Sequence, residues 1–449
     1  MKNLALLPLI AILLLSSCSK KDKVQPFDNA SKTIIKDEGL IAFKAMPLAD
    51  NQLKIALAPE GPVATKMILR QDTNTLATMP VTRDANGYAA ATFTYAFKSG
   101  VKYNVVIQSP VAGTDTLKQY HIADYQHQYV KKYNYTQVLA LHQSLGSNYF
   151  DISPSRRYIF IQDDVNNVVQ TKKLDLQTMA VTTLDFDFTG SPIRAVSDNE
   201  LLAFGNKTTA NVPTPADPGN DAVVLAKYNT DSKQSTFVSF VSNGYGRISR
   251  VINNHVLVTN PVFTAKTASL INLGDLSAVK YSLNSFDFTA IHEYSFNHII
   301  YSNSFVNPAN GAITTPVQLP ANSGLIDVDD ATGYAFATNF SKDAKNNPLV
   351  GFSVYKGNNE VFRSDFKYGR GDYFPIIYNI SNNSVIFYRH FGFDTTVNLD
   401  GYYQLNISTG EITLLQTDSN PYVITDYQVA DGSIISVRND GVYKLTIAR

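Results

Sequence analysis

The chain has 449 residues, and its 38 lysines and arginines balance 38 aspartates and glutamates, so the formal net charge is zero. That balance leaves no global field to draw in nucleic acid or an anionic membrane surface, and it argues against a nucleic-acid partner. A single cysteine excludes an internal disulfide, and 449 residues exceed what one compact domain normally holds.

The first element is an export signal. Lys2 supplies a short positive start, an apolar run extends from Leu4 to Leu15, and Ser16 and Ser17 lead to Cys18. About twelve apolar positions are too few to span a bilayer as a helix, which predicts a cleaved segment over 1–17. Leu15-Ser16-Ser17-Cys18 resembles a bacterial lipobox. The resemblance implies that Cys18 is lipidated, heads the mature chain and attaches it to a membrane. Export implies an oxidising compartment, so a mature chain without a disulfide must be held by core burial alone. Residues 18–33, with Lys20, Lys21, Asp22, Lys23 and Pro26, have charge and turn formers without periodicity and read as a flexible tether. Charge directly behind the cysteine resembles the signal that directs some Bacteroidota lipoproteins to the outer face of the outer membrane. The implied location is the outer membrane, with the cell surface as its exposed side.

Composition then predicts an all-β protein: 26 tyrosines and 25 phenylalanines accompany frequent valine and threonine, and such side chains suit a pleated, half-buried surface. From 34 to 125 the chain breaks into short alternating runs. Leu53-Lys54-Ile55-Ala56-Leu57 and Thr92-Phe93-Thr94-Tyr95 alternate at period two, and Asn86-Gly87 and Ser99-Gly100 are turn sequences between runs. About ninety residues of short strands and turns predict a β-sandwich. Ser99-Gly100-Val101-Lys102-Tyr103 resembles the turn and tyrosine late in fibronectin type III and related immunoglobulin-like domains, which implies an immunoglobulin-like sandwich.

From 130 to 449 a repeat of form replaces exact sequence repetition. Each unit has an apolar strand, a polar turn, a very apolar second strand and a third strand. Second strands begin at Tyr158, Leu201, His255, His298, Gly333, Ser384 and Ser433, at intervals of about 35 to 54 residues. This spacing brackets a four-stranded propeller blade and predicts a β-propeller of about seven blades. The last unit, ending near Ile447, is one strand short, and Tyr133 to Ala140 is strand-like without a unit of its own. Residues 133–140 are therefore expected to complete the final blade; a place in the linker is the alternative. Ile152-Ser153-Pro154-Ser155-Arg156-Arg157-Tyr158 resembles the first turn of blades in TolB-like propellers, and the whole chain resembles exported sandwich-plus-propeller lipoproteins of Bacteroidota.

The chemistry is less legible than the architecture. The sequence has no Gly-x-Ser-x-Gly elbow, no His-Glu-x-x-His and no phosphate-binding glycine loop, so no catalytic residue, cofactor or metal is assigned. Asp327-Val328-Asp329-Asp330-Ala331-Thr332-Gly333 looks like the start of a calcium loop, but aspartate and glycine also suit the plain turn expected there. His255 and His298 read as packed or edge histidines. Arg194, Arg247 and Arg370 fall where the chain enters a new blade, with Asp372 and Tyr373 nearby and His292 starting an inner strand. Together these six form a candidate ligand site at one channel mouth, where planar guanidinium contacts would hold a carboxylate-bearing or hydroxyl-rich ligand. The alternative is that each arginine ties neighbouring blades together. The expected function is a lipid-anchored envelope binding or scaffold protein that engages a protein or glycan partner. The competing expectation is a propeller lyase or hydrolase acting on an acidic or carbohydrate substrate.

Overall fold

The computed structural model describes residues 34–448 except 85–86, 143–148, 187–191, 207–222, 242–247, 261–266, 276, 283–290, 293–294, 296, 302, 343–347, 368–375, 382–383, 419–422 and 429–432. Every element among the described residues longer than a single turn is a β-strand, and none of those residues forms a helix that could cross a membrane. The chain divides into two compact units, residues 1–44, 51–127 and 394–397 in one and residues 45–50, 128–393 and 398–449 in the other.

In the first unit, Thr116–His121 pairs in parallel with Ile34–Leu40 and antiparallel with Lys102–Pro110. That sheet continues through Lys66–Gln71 to Asn74–Pro80. A second sheet sets Ala89–Thr94 between Gln52–Leu57 and Thr82–Arg83. The period-two pattern produces the burial: Leu53, Ile55 and Leu57 point inward, while Lys54 turns out to pair with Asp84 at 2.7 Å. Tyr103 is buried, and its hydroxyl accepts the Lys98 amide at 2.9 Å across the turn that Gly100 closes with φ 73°. That positive φ is readily adopted only by glycine.

The second unit holds seven sheets among the described residues, numbered here in chain order. Sheet one contains Phe150–Ile152, Tyr158–Val165, Val168–Asp175 and Val181–Leu184. Sheet two contains Ile193–Ala195, Glu200–Asn206, Val223–Asn229 and Gln234–Val241. Sheet three contains His255–Asn260, Thr267–Asn272 and Ala278–Ser282, led by a segment that bridges Ile248 to Val258 and Ile252 to His255. Sheet four contains Ile291–His292, Ile299–Tyr301, Ser304–Val306 and Ile313–Thr314. Sheet five contains Ser323–Asp329, Tyr334–Lys342, Pro348–Lys356 and Asn359–Lys367. Sheet six contains Ile376–Ser381, Ser384–Arg389, Gly401–Asn406 and Ile412–Thr417. Sheet seven contains Val423–Gln428, Ile434–Arg438 and Gly441–Ile447, and its fourth strand is Tyr133–Ala140. Tyr133–Ala140 lies so close that a Cβ on Gly441 would sit 2.5 Å from the Leu139 carbonyl oxygen.

The second strands explain how the sheets stack. A strand buried on both faces reads as a continuous apolar run, because alternate side chains enter different cores. Ile159 and Ile161 pack with Ile435 and Val437 of sheet seven, while Phe160 between them packs with Ile193 and Leu201 of sheet two. Leu202 then joins Val256 and Val258 of sheet three, and Leu257 joins Ile299 of sheet four. Ile300 packs with Leu325 and Ala335 of sheet five, and Phe336 with Val385 and Phe387 of sheet six. Tyr388 and Tyr402 pack with Ile434 of sheet seven. Each sheet therefore shares a core with the next, and the last shares one with the first. This circular succession of antiparallel sheets is a β-propeller.

Candidate functional site

A charged group in an inner strand of a propeller needs partners, because its neighbours there are apolar. Asp151 lies between Phe150 and Ile152 on the first strand of sheet one and is 3% exposed. Its Oδ1 accepts the Ile152 amide and its Oδ2 accepts the Ala195 amide of sheet two, both at 2.9 Å. Oδ1 also accepts a hydrogen bond from the Arg250 guanidinium, which comes from the leading segment of sheet three. Sheets one and three are not neighbours in the succession, so this contact runs along the inner edge, past sheet two.

Beside that pair is a cavity of about 110 Å³, bordered by Asp151, Arg156, Ala195, Arg250 and Asn297, so residues from four consecutive sheets or their loops meet there. Arg156 is held by the turn after the first strand of sheet one, where its amide donates to the Ser153 carbonyl at 2.8 Å. Its φ is 59°, in the left-handed region that costs most side chains about 1–2 kcal/mol. The other non-glycine residues with positive φ are mostly asparagine or aspartate, which tolerate this backbone; Arg156 is an exception. Burial pushes the Arg156 pKa down, and the nearby positive charge of Arg250 pushes it further. Two guanidinium groups thus face one carboxylate, and that carboxylate already accepts three donors. Both guanidinium groups border the cavity beside that carboxylate, an arrangement suited to hydrogen-bond a polar ligand.

Among the arginines singled out in the sequence, Arg194 is described. It lies on the first strand of sheet two, 1% exposed. Nε and one terminal nitrogen donate to the Ile248 carbonyl at 3.2 and 3.0 Å, and the other terminal nitrogen donates to the Ile193 carbonyl at 2.8 Å. The side chain ties sheet two to sheet three. His292 pairs through its backbone with Ile300, and its side chain lies outside the described residues. Arg247, Arg370, Asp372, Tyr373 and Cys18 also lie outside them. The sequence reading missed Asp151 and Arg250. A signal was available: each is a charged residue flanked by apolar residues near the start of a unit, Phe150-Asp151-Ile152 and Ile248-Ser249-Arg250-Val251.

The aspartate-rich turn of sheet five is internally engaged. The Thr332 amide donates to the Asp329 carboxylate at 2.9 Å, Ser295 Oγ donates to Asp327 at 2.8 Å, and His298 Nε2 lies 3.2 Å from Asp330. Among the described residues no group of three or more histidine, cysteine, aspartate or glutamate side chains is placed to hold a metal ion. Serine, histidine and aspartate do meet here, but in the wrong order for nucleophilic catalysis. Ser295 is fully buried and its hydroxyl is directed at Asp327, whereas a serine nucleophile needs the imidazole as its acceptor. His298 stacks on Phe305 with ring centroids 3.9 Å apart. Burial pulls its pKa down, but Asp327 and Asp330 more than offset this, so the net shift is upward.

No protein-family model matches the chain, and no curated protein matches it. Similar solved structures include a streptogramin B lyase, 12% identical over 72% of this chain and all of that one, with a TM-score of 0.41. The tricorn protease is 9% identical over 90% of this chain and 42% of its own, also at 0.41. The extracellular domain of the putative one-component system BT4673 from B. thetaiotaomicron is 11% identical over 71% of this chain and 40% of its own, at 0.37. These likenesses are too distant to assign an activity.

Proposed function

We propose that the chain is a lipid-anchored cell-envelope protein whose propeller binds a protein or glycan partner. In this reading a lipid on Cys18 holds it at the outer membrane, facing the cell surface, and residues 18–33 are the tether. Residues 34–125 are an immunoglobulin-like spacer, and the seven sheets of residues 130–449 are the blades, closed by 133–140. The circular sharing of cores supports seven blades, and the parallel pairing of Ile34–Leu40 with Thr116–His121 supports the immunoglobulin-like assignment. The observation that carries the binding function is the cavity bordered by Arg156, where Arg250 of sheet three reaches Asp151 of sheet one.

Two measurements test this reading. Replacing Cys18→Ala should move the protein from the membrane to the soluble fraction and abolish labelling by a palmitate analogue. The full chain in detergent should show a saturable rise in melting temperature with at least one member of a panel of acidic, neutral and basic peptides and oligosaccharides. Turnover of a panel member would instead place the chain among propeller enzymes, and no response to any member would refute a ligand-binding propeller.

A further inference from the structure

His298 occupies a position that suits its charged form alone. We infer that it is a protonation-controlled latch between sheets four and five, closed while the imidazole is charged and released when the ring becomes neutral.

Each ring nitrogen faces a carboxylate of sheet five. Nε2 lies 3.2 Å from Asp330 and Nδ1 lies 3.5 Å from Asp327. A neutral imidazole has one N–H, so either tautomer turns a lone pair toward one of the two carboxylates, whereas the imidazolium presents a proton to both. The ring plane is fixed, because it stacks on Phe305 of its own sheet with 2° between the planes. Among the described residues, Asp327 and Asp330 are the charged groups that face the ring, and sheet four contributes the uncharged Phe305.

The two carboxylates differ in freedom. Asp327 Oδ1 also accepts the Ser295 hydroxyl and the Val328 amide, each at 2.8 Å. Asp330 is 67% exposed, and its carboxylate has no other partner among the described residues. Asp330 is therefore the group that turns to water when the ring loses its proton. Sheet four is where such a latch has most effect. Its described strands are the shortest in the propeller, two or three residues each, so its own ladder supplies few hydrogen bonds. The Asn297 and His298 amides both donate to Ser295 Oγ, at 3.3 and 3.0 Å, and Asn297 borders the cavity, so the latched turn is also part of the cavity wall. Burial pulls the His298 pKa down, but the two aspartates outweigh it and leave it raised. The latch is closed below the ordinary value near 6.5 and opens as pH rises through the folded value.

The test is hydrogen–deuterium exchange of the full chain in detergent between about pH 5 and about pH 8.5, expressed as protection over the intrinsic rate at each pH. Segments 295–306 and 327–333 should lose protection by roughly threefold to tenfold as pH rises, as expected for a half-buried charged contact. The midpoint should coincide with the His298 ring titration followed by NMR. Asp330→Asn should melt with wild type at the alkaline end, yet show little of the step, because its acid-side protection falls to the alkaline wild-type level. His298→Asn should show no step. Flat protection in wild type, a step of equal size in Asp330→Asn, or a midpoint away from the ring titration would overturn the inference. A step of the same size in Val223–Asn229 of sheet two would make the change global and overturn it as well.

Discussion

Two buried arginine–aspartate pairs in the propeller have opposite surroundings. Arg438, at the end of the second strand of sheet seven, meets Asp418 of sheet six through two nitrogens, at 3.1 and 2.6 Å. Its Nε donates to Ser436 at 3.1 Å, the Tyr402 hydroxyl accepts from it at 3.4 Å, and the guanidinium lies 5.0 Å from the Tyr135 ring centre. Burial lowers the Arg438 pKa, but Asp418 outweighs this and holds it well above its ordinary value. The charges cancel and the site is closed. The Arg250–Asp151 pair is also buried, yet it borders a cavity that Arg156 lines as well. The same residue chemistry serves as a rivet between sheets six and seven and as a receptor wall across sheets one to three. What separates the two is whether the pair is enclosed between sheets or borders a cavity.

Breaking the rivet should have the largest effect. Arg438→Met leaves Asp418 buried without its cation and should cost about 3–5 kcal/mol in urea unfolding. Replacing Asp418→Leu in the same chain should recover most of that loss, because the uncompensated charge is removed. Arg250→Met should cost less, about 1–3 kcal/mol, since two backbone amides still hold Asp151 and the cavity admits water to it. That variant should also lose the ligand-induced rise in melting temperature. Arg156→Asn should change stability by no more than about 1 kcal/mol, with a gain if the left-handed strain dominates. These three effects, measured by urea unfolding in one buffer, rank the arginines by how much of their role is structural.

Two smaller predictions concern pH at pairs outside both sites. Arg157 holds the Asp175 carboxyl down at about 2 against the opposing effect of burial, with help from the Gln177 and Thr178 amides. A depressed carboxylate stabilises the fold above its ordinary pKa and loses that contribution as pH falls from about 4 through about 2. Asp175→Asn should flatten that part of an acid-unfolding curve. His298 works with the opposite sign: its raised pKa adds stability that is full below its ordinary value near 6.5 and is lost as pH rises through the folded value. His298→Asn should remove that alkaline loss without altering the acid limb.

Much of the fold could be read because one strand in each sheet is buried on both faces. Tyr158-Ile159-Phe160-Ile161 and Ser384-Val385-Ile386-Phe387 stand out as apolar runs because alternate residues enter two different cores. The first strands are harder to read, because three residues such as Phe150–Ile152 or Ile193–Ala195 are too short for a periodic signal. The candidate site depends on those strands. Position along the chain suggested that arginines near blade entries would line a channel, but Arg194 faces the Ile248 carbonyl inside the sheet two and sheet three contact. Arg250, three residues beyond Arg247, is the one that reaches Asp151. The strand pattern determines which residues are inside, whereas the distinction between a rivet and a receptor depends on partners some hundred positions away, as Asp151 and Arg250 show.

The most direct measurement is the melting temperature of the Arg156→Asn protein, beside wild type, with and without a saturating amount of the panel member that stabilises wild type. If Arg156 belongs to a receptor wall, the free variant melts within a few degrees of wild type and the ligand raises only the wild-type transition. A free variant that melts well below wild type, or one that the ligand stabilises equally, would contradict the account and make Arg156 another rivet.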